Sequence, residues 1–147
     1  MRRGRLAFIL PGMTPQSQLA VHSPVIVVVD DDPAVCNSLK FALELEGFAV
    51  RTYRGGAEFL EDGNFGDCDC FVIDQRMPGM SGMDLIARLR ERKLATPAIL
   101  IISQPSDALS ARAAKAAVPI VEKPLLSNML IDKIREACHS ARSERGA

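Results

Sequence analysis

Val25-Ile26-Val27-Val28-Val29-Asp30-Asp31-Asp32-Pro33 passes from five β-branched residues to three carboxylates and a proline with nothing in between. An apolar β-branched run without polar alternation is the pattern of a strand covered on both faces, as in a parallel sheet. The acids stop it. Asp32 before Pro33 then reads as a helix start, because an N-cap carboxylate accepts from the free N–H groups and proline lacks only a donor that the first turn leaves unused. Val35, Leu39, Ala42, Leu43 and Leu45 supply the apolar stripe of that helix, and Gly47 ends it. A buried strand that runs through acids into a helix is the first half of a βαβ unit.

The rest of the chain repeats the alternation. Phe48 to Tyr53 reads as a second strand, Gly56 to Leu60 as a short helix, and Cys70 to Ile73 as a third strand ending in Asp74. Beyond the loop Gln75 to Ser81, the segment Gly82 to Lys93 places Met83, Leu85, Ile86 and Leu89 at helical spacing. Pro97 opens a fully apolar strand, Ala98 to Ile102. Ser106 to Ala117 is an alanine-rich helix capped by Ser106, Ile120 and Val121 form a short strand, and Asn128 to His139 is an amphipathic helix with Leu130, Ile131, Ile134 and Ala137 inward. Strands joined through helices must be parallel, and right-handed crossovers set the helices on both faces. The predicted fold is therefore α/β, a doubly wound five-stranded parallel sheet, whose site lies beyond the carboxyl ends of the strands.

Bulk composition narrows the function. With 147 residues and 48% hydrophobic content, the chain suffices for one domain with a proper core. Lys and Arg number 18, as do Asp and Glu, so no net field draws the molecule to nucleic acid or an anionic membrane. Arg2, Arg3 and Arg5 read as a short solvated tail. The apolar piece Leu6 to Leu10 is broken by Pro11 and Gly12, short of the ~7 to 15 residues of a signal-peptide core, and no run reaches the ~18 to 20 residues of a spanning helix. The expectation is a soluble, cytoplasmic protein. Met1 to Ser23 has no period and reads as a leader. Cys68-Asp69-Cys70 is the closest pair among four cysteines, but alternate strand residues point to opposite faces, and neither His22 nor His139 stands at zinc-site spacing. Reduced packing cysteines are expected.

The polar residues converge instead. Asp30 and Asp31 end the first strand, Asp74 the third and Ser103 the fourth, while Lys123 follows the fifth. Carboxylates ~5 Å apart repel by about 3 kcal/mol per pair at an effective dielectric near 20, so cations must offset them. Lys123 supplies one. An all-oxygen donor set favours a hard divalent ion, which points to magnesium and thus to phosphate chemistry. A carboxylate beside magnesium, a lysine and a hydroxyl has what phosphoryl transfer requires, namely positioning and charge stabilisation. Asp32 is read as a cap, Gly79 and Gly82 as turn and helix-start geometry, and Met77, Met80 and Met83 as packing.

At these residues a family resemblance appears. V-I-V-V-V-D-D-D-P-A-V at Val25–Val35, F-V-I-D-Q-R-M-P-G-M-S-G at Phe71–Gly82, A-I-L-I-I-S at Ala98–Ser103 and V-E-K-P at Val121–Pro124 resemble the receiver domain of bacterial response regulators. The resemblance spans residues 24–139, leaving a leader at 1–23 and a tail at 140–147. It implies a flavodoxin-like strand order, 2-1-3-4-5. It also implies that Asp74 accepts phosphate from a sensor histidine kinase or a phosphotransfer protein. Asp31 would bind magnesium directly, Asp30 through water, with Asp74 and the backbone carbonyl of Arg76 completing the protein ligands. Ser103 would hydrogen-bond the phosphoryl oxygen, Lys123 would pair with it, and Pro124 matches a cis-proline.

Two departures stand out. Ile120 occupies the place of the family's usual Tyr or Phe, and the usual glycine before the fifth strand is missing from Ala116-Ala117-Val118-Pro119. No DNA-binding helix-turn-helix is read after the domain. The expectation is therefore a stand-alone receiver, a phosphorylation switch with no turnover reaction, acting on a downstream protein without nucleic acid or membrane. Two alternatives differ in kind. One is a degenerate receiver that binds partners without phosphorylation. The other is a haloacid-dehalogenase-type phosphatase with its nucleophile at Asp30, although Ala34 stands where that family has Thr or Val.

Overall fold

The computed structural model describes residues 23–125 and 128–146; the leader up to His22 lies outside the described residues. The apolar runs form the strands β1 (Val25–Val29), β2 (Ala49–Tyr53), β3 (Cys70–Asp74), β4 (Ala98–Ile102) and β5 (Ile120–Glu122). Between and after them lie the helices α1 (Pro33–Leu45), α2 (Gly56–Asp62), α3 (Gly82–Glu91), α4 (Asp107–Lys115) and α5 (Met129–Gly146). All strand pairs are parallel and the sheet order is β2-β1-β3-β4-β5. β1 thus lies inside the sheet, β2 forms one edge, and the chain crosses back through β3 and β4 to β5 at the other.

Strand pleating divides the interior in two. Val27 and Val29 of β1, Phe71 and Ile73 of β3, and Leu100 and Ile102 of β4 meet Phe59 of α2, Met83, Leu85, Ile86 and Leu89 of α3, and Ala113 of α4. The alternate residues Ile26, Val28, Val72, Ile99 and Ile101 face Cys36 and Leu43 of α1 and Leu130, Ile134 and Cys138 of α5. Both faces of the central strands are dry, which is why their sequence never alternates. Cys68 and Cys70 fall in opposite cores, so the pair cannot share an ion, and all four cysteines are buried. Among the described residues no helix is long and apolar enough to cross a membrane.

Helix starts follow the expected chemistry. Asp32 caps α1 by accepting from the Ala34 N–H at 2.9 Å, with Pro33 in the first turn. Ser106 caps α4, and Ser81 forms a capping box with Asp84 at the start of α3. Helix ends are less regular. α1, α3 and α4 each close with a pair of bonds, from Gly47 and Phe48, from Lys93 and Leu94, and from Ala117 and Val118, onto the last carbonyls. The first residue of each pair is left-handed, with φ of 97° at Gly47, 65° at Lys93 and 59° at Ala117. α5 extends to Gly146, beyond the expected end at His139, with Ala141 still buried and no helix breaker before the final glycine.

Ala117 therefore holds the conformation that glycine would take without strain, at a cost of about 1 kcal/mol for an alanine. Its N–H and that of Val118 are already bonded, so the backbone geometry is fixed by the cap. Ala117→Gly is expected to raise stability by about 0.5 kcal/mol after the extra entropy of an unfolded glycine is subtracted. A urea midpoint equal to or below that of the parent would contradict this.

Candidate functional site

The strand ends deliver two acids into the protein and leave a third outside. Asp30 is 3% exposed and Asp74 is 5% exposed, whereas Asp31 is open to solvent. Asp30 is held on several sides: its N–H donates to the Tyr53 carbonyl at 3.0 Å, its Oδ1 accepts from the Asp32 N–H at 2.9 Å, and the buried Cys36 thiol donates to its carbonyl at 3.2 Å. Lys123 is placed by its backbone, whose N–H bonds the Ile102 carbonyl at 2.7 Å. Its Nζ lies 3.1 Å from Asp74 Oδ1 and 3.6 Å from Asp30 Oδ2. The Lys123–Pro124 peptide is cis.

Carboxylate oxygens of Asp30, Asp31 and Asp74 come within 4.8 Å of one another. Against three potential negative charges stands one lysine, so the ionised cluster carries an excess near two charges. Burial, then the neighbouring Asp30 charge, push the Asp74 carboxyl above its ordinary range, and the Lys123 bond and charge only partly offset this. For Lys123, burial alone would lower the ammonium pKa. The hydrogen bond to Asp74 and the charges of Asp74 and Asp30 outweigh it, and the net direction is up. Both shifts have one physical meaning: the cluster holds less positive charge than it can use. An all-oxygen set with that deficit fits a hard divalent cation such as magnesium.

The residues expected from sequence come together. A cleft of about 520 Å³ is lined by Asp30, Asp31, Asp74, Arg76, Ser103 and Lys123, among others. Asp32 borders it too, but its side chain is spent on the helix cap. Ser103 and Arg76 are exposed at its rim. Met77 and Met83 are buried in the core and Met80 packs against it, as expected for packing residues. Gly82 does more than start a helix. A Cβ there would lie 2.6 Å from the Asp74 carbonyl oxygen and 2.7 Å from Leu100 Cδ1, so α3 can pass behind the acid only without a side chain. Gln75 closes the same loop, with Oε1 accepting from the Met83 N–H at 2.9 Å and its carbonyl accepting from the Gly82 N–H at 3.0 Å. Neither contact had a signature readable in the sequence, since both depend on the approach of α3 to β3.

The family model described as response regulator receiver domain matches residues 26–135. Response regulator protein TodT of Pseudomonas putida is 32% identical over 136 residues, which cover 92% of this chain and 60% of TodT. Transcriptional regulatory protein FixJ of Azorhizobium caulinodans is 38% identical over 109 residues, 74% of this chain and 52% of that protein. The chain therefore spans only 52–60% of the length of these relatives. Among solved structures, TrrA of Thermotoga maritima, crystallised in complex with Mg(2+)-BeF, superposes with a TM-score of 0.68 at 28% identity, covering 78% of this chain and 98% of TrrA.

The buried acids make a stability prediction with a definite sign. A carboxyl whose folded pKa is raised binds its proton more tightly when folded, so it favours folding at low pH and opposes it as pH rises through the folded value. In metal-free buffer at neutral pH, Asp74→Asn is expected to raise the unfolding midpoint, by about 2–4 °C if the relief is about 1 kcal/mol. The gain should shrink as the buffer is taken down toward the ordinary carboxyl range. A variant less stable than the parent at neutral pH, or a gain that grows on acidification, would refute this account of the cluster.

Proposed function

Since the chain belongs to the response regulator receiver domain family, we propose that Asp74 takes a phosphoryl group from a sensor histidine kinase or a phosphotransfer protein and passes the signal on through its own change of state. The observation that carries this reading is the placement of Asp74: a buried carboxylate at the end of β3, 3.1 Å from a lysine and grouped with two further acids at an open cleft.

In this reading an Asp74 carboxylate oxygen forms the bond to phosphorus as the phosphorus–nitrogen bond of the donor histidine breaks, with the electron pair leaving on nitrogen. Asp31, Asp74, the Arg76 carbonyl and, through water, Asp30 would hold magnesium. When bound, that ion supplies positive charge to the phosphoryl oxygens and offsets the repulsion among the acids. Lys123, already within 3.6 Å of both buried acids, shifts its bond from the carboxylate to a phosphoryl oxygen. Ser103 donates its hydroxyl to another. The receiver unit is proposed as residues 24–139, acting in the cytoplasm as a switch without turnover of a metabolite.

Two destinations for the signal are open to test. The first is direct contact with a downstream protein, the stand-alone reading. The second is favoured by the printed name of the FixJ relative, a transcriptional regulator whose length the chain half covers, and ends on nucleic acid. In either case coupling should be modest. Ile120 is half-buried and packs against the core below α4, and an aliphatic side chain gains no hydroxyl contact by rotating inward.

Incubation with acetyl phosphate and magnesium, followed by intact mass spectrometry, is expected to add one phosphoryl group to the parent chain and none to Asp74→Asn. Excess chelator should stop the uptake. Label that survives in Asp74→Asn and disappears in Asp30→Asn would favour the phosphatase alternative, and a parent chain that takes none would favour the binding module. With a beryllofluoride mimic, backbone NMR should report mixed populations over residues 98–121, because full conversion from 1:99 to 99:1 needs about 5.5 kcal/mol of differential stabilisation. A single fully shifted set of resonances would overturn modest coupling.

A further inference from the structure

Alanine supplies four of the nine residues of α4, and alanine has little side-chain surface to bury. Only Ala113 is buried, Leu109 packs partly against the core, and the rest of the helix is exposed. The neighbouring α3 buries Met83, Leu85, Ile86 and Leu89. On packing alone α4 is the more weakly held of the two. One polar link makes up part of the difference: Arg112 Nη2 donates to Asp84 Oδ1 of α3 at 3.2 Å, across 28 positions of sequence. Among the described residues no other hydrogen bond or ion pair joins a side chain of α4 to another helix. Both side chains are about half exposed, and exposed pairs often contribute little because two mobile side chains must be ordered to meet. Here one of the two is ordered already. The Asp84 carboxylate belongs to the capping box of α3, where Oδ2 accepts from the Ser81 N–H at 3.4 Å and the Asp84 N–H donates to Ser81 Oγ at 3.1 Å. Arg112 thus closes on an acceptor fixed in advance.

The fixed end of this pair is attached to the segment that follows Asp74. The Gln75 carbonyl accepts from the Gly82 N–H and Gln75 Oε1 accepts from the Met83 N–H, so the first turn of α3 is bonded to the residue after the acid. Asp84 lies in that turn. We propose that the Asp84–Arg112 pair is a restraint that holds α4 in its resting place by tying it to the start of α3, and that it limits how far α4 can follow a change at Asp74. The second half of the proposal rests on the phosphoacceptor reading of Asp74; the first half does not. Displacement of α4 along α3 pulls the guanidinium away from a carboxylate that the capping box keeps in position. The small buried area of α4 offers little else against such a displacement, so a pair of ordinary strength supplies a large share of the hold. The restraint acts on position rather than on helix formation. α4 has its own cap at Ser106 and its own closing bonds at Ala117 and Val118, none of which involves the pair.

The test is backbone amide hydrogen exchange, followed by NMR, in the parent chain, Asp84→Asn, Arg112→Gln, Arg112→Lys and the Asp84→Asn/Arg112→Gln double variant. Asparagine keeps an acceptor for the Ser81 N–H and removes only the charge. Amides of residues 110–115 are expected to exchange about two- to five-fold faster in Asp84→Asn and Arg112→Gln, the range for loss of one exposed ion pair, while those of α1 and α3 keep the parent's rates. Arg112→Lys retains the charge and should stay nearer the parent. The double variant should exchange no faster than the faster single variant, because the two side chains act as one unit. With magnesium and beryllofluoride, both neutralised variants should carry residues 98–121 further toward a single shifted set of resonances than the parent does. Unchanged exchange in residues 110–115, or equal acceleration in every helix, would overturn the restraint. Faster exchange without a larger response to the mimic would overturn its part in coupling. A parent chain that does not respond to the mimic anywhere would overturn the phosphoacceptor reading, and the exchange rates would still decide the restraint.

Discussion

Two carboxylates are buried at one edge of the sheet with a single lysine between them, and much of the local structure follows from that constraint. Asp30 and Asp74 are 3% and 5% exposed, and Lys123 reaches both within 3.6 Å. Removing a charge from water costs several kcal/mol, and one ammonium shared between two acids cannot return all of it. The fold limits the cost through the backbone. The Asp32 N–H bonds the Asp30 carboxylate, and parallel pairing of β1 with β3 and of β4 with β5 holds the acids and the lysine in register. A site kept short of positive charge is poised for a divalent cation. The same feature that weakens the resting protein thus gives its proposed ligands their grip.

The sheet and its functional edge were legible because burial on both faces writes itself into composition. Val25–Val29 and Ala98–Ile102 contain no polar residue, and each ends in the residues that enter the cleft. Asp32–Pro33 and Ser106 announced helix starts through local hydrogen bonding, which needs no tertiary information. The convergence of Asp30, Asp31, Asp74, Ser103 and Lys123 was readable once the strands were known to be parallel, because all five follow strand ends on the same side.

What stayed hidden depended on tertiary contact or on backbone geometry that side chains do not advertise. Gly47 marked a left-handed cap, but Lys93 and Ala117 adopt the same conformation without glycine, and no propensity rule would select them. The need for glycine at position 82 comes from the Asp74 carbonyl and Leu100, eight and eighteen positions away. α5 runs past His139 because no breaker occurs before Gly146, an end that hydrophobic periodicity does not mark. Gln104 meets its partner, Arg76, only where the loops after β3 and β4 approach.

These differences divide the site into two parts with distinct physical character. Asp30, Asp74 and the Lys123 backbone are fixed by strand pairing and buried bonds, so their positions should scarcely depend on what occupies the cleft. Asp31, Arg76, Ser103 and Gln104 are exposed residues on connecting segments, where small changes in backbone angle cost little. A switch needs both. A wholly rigid site would bind a phosphoryl group without transmitting anything, and a wholly mobile one would meet the ordering cost of the ligand anew each time. In this chain the Ser103–Gln104 segment leads into α4, and the fixed half is anchored through β3 and β5. Under the proposed function, a rearrangement around Asp74 would pass outward through the Ser103 loop toward α4, the helix that ends in the left-handed cap at Ala117.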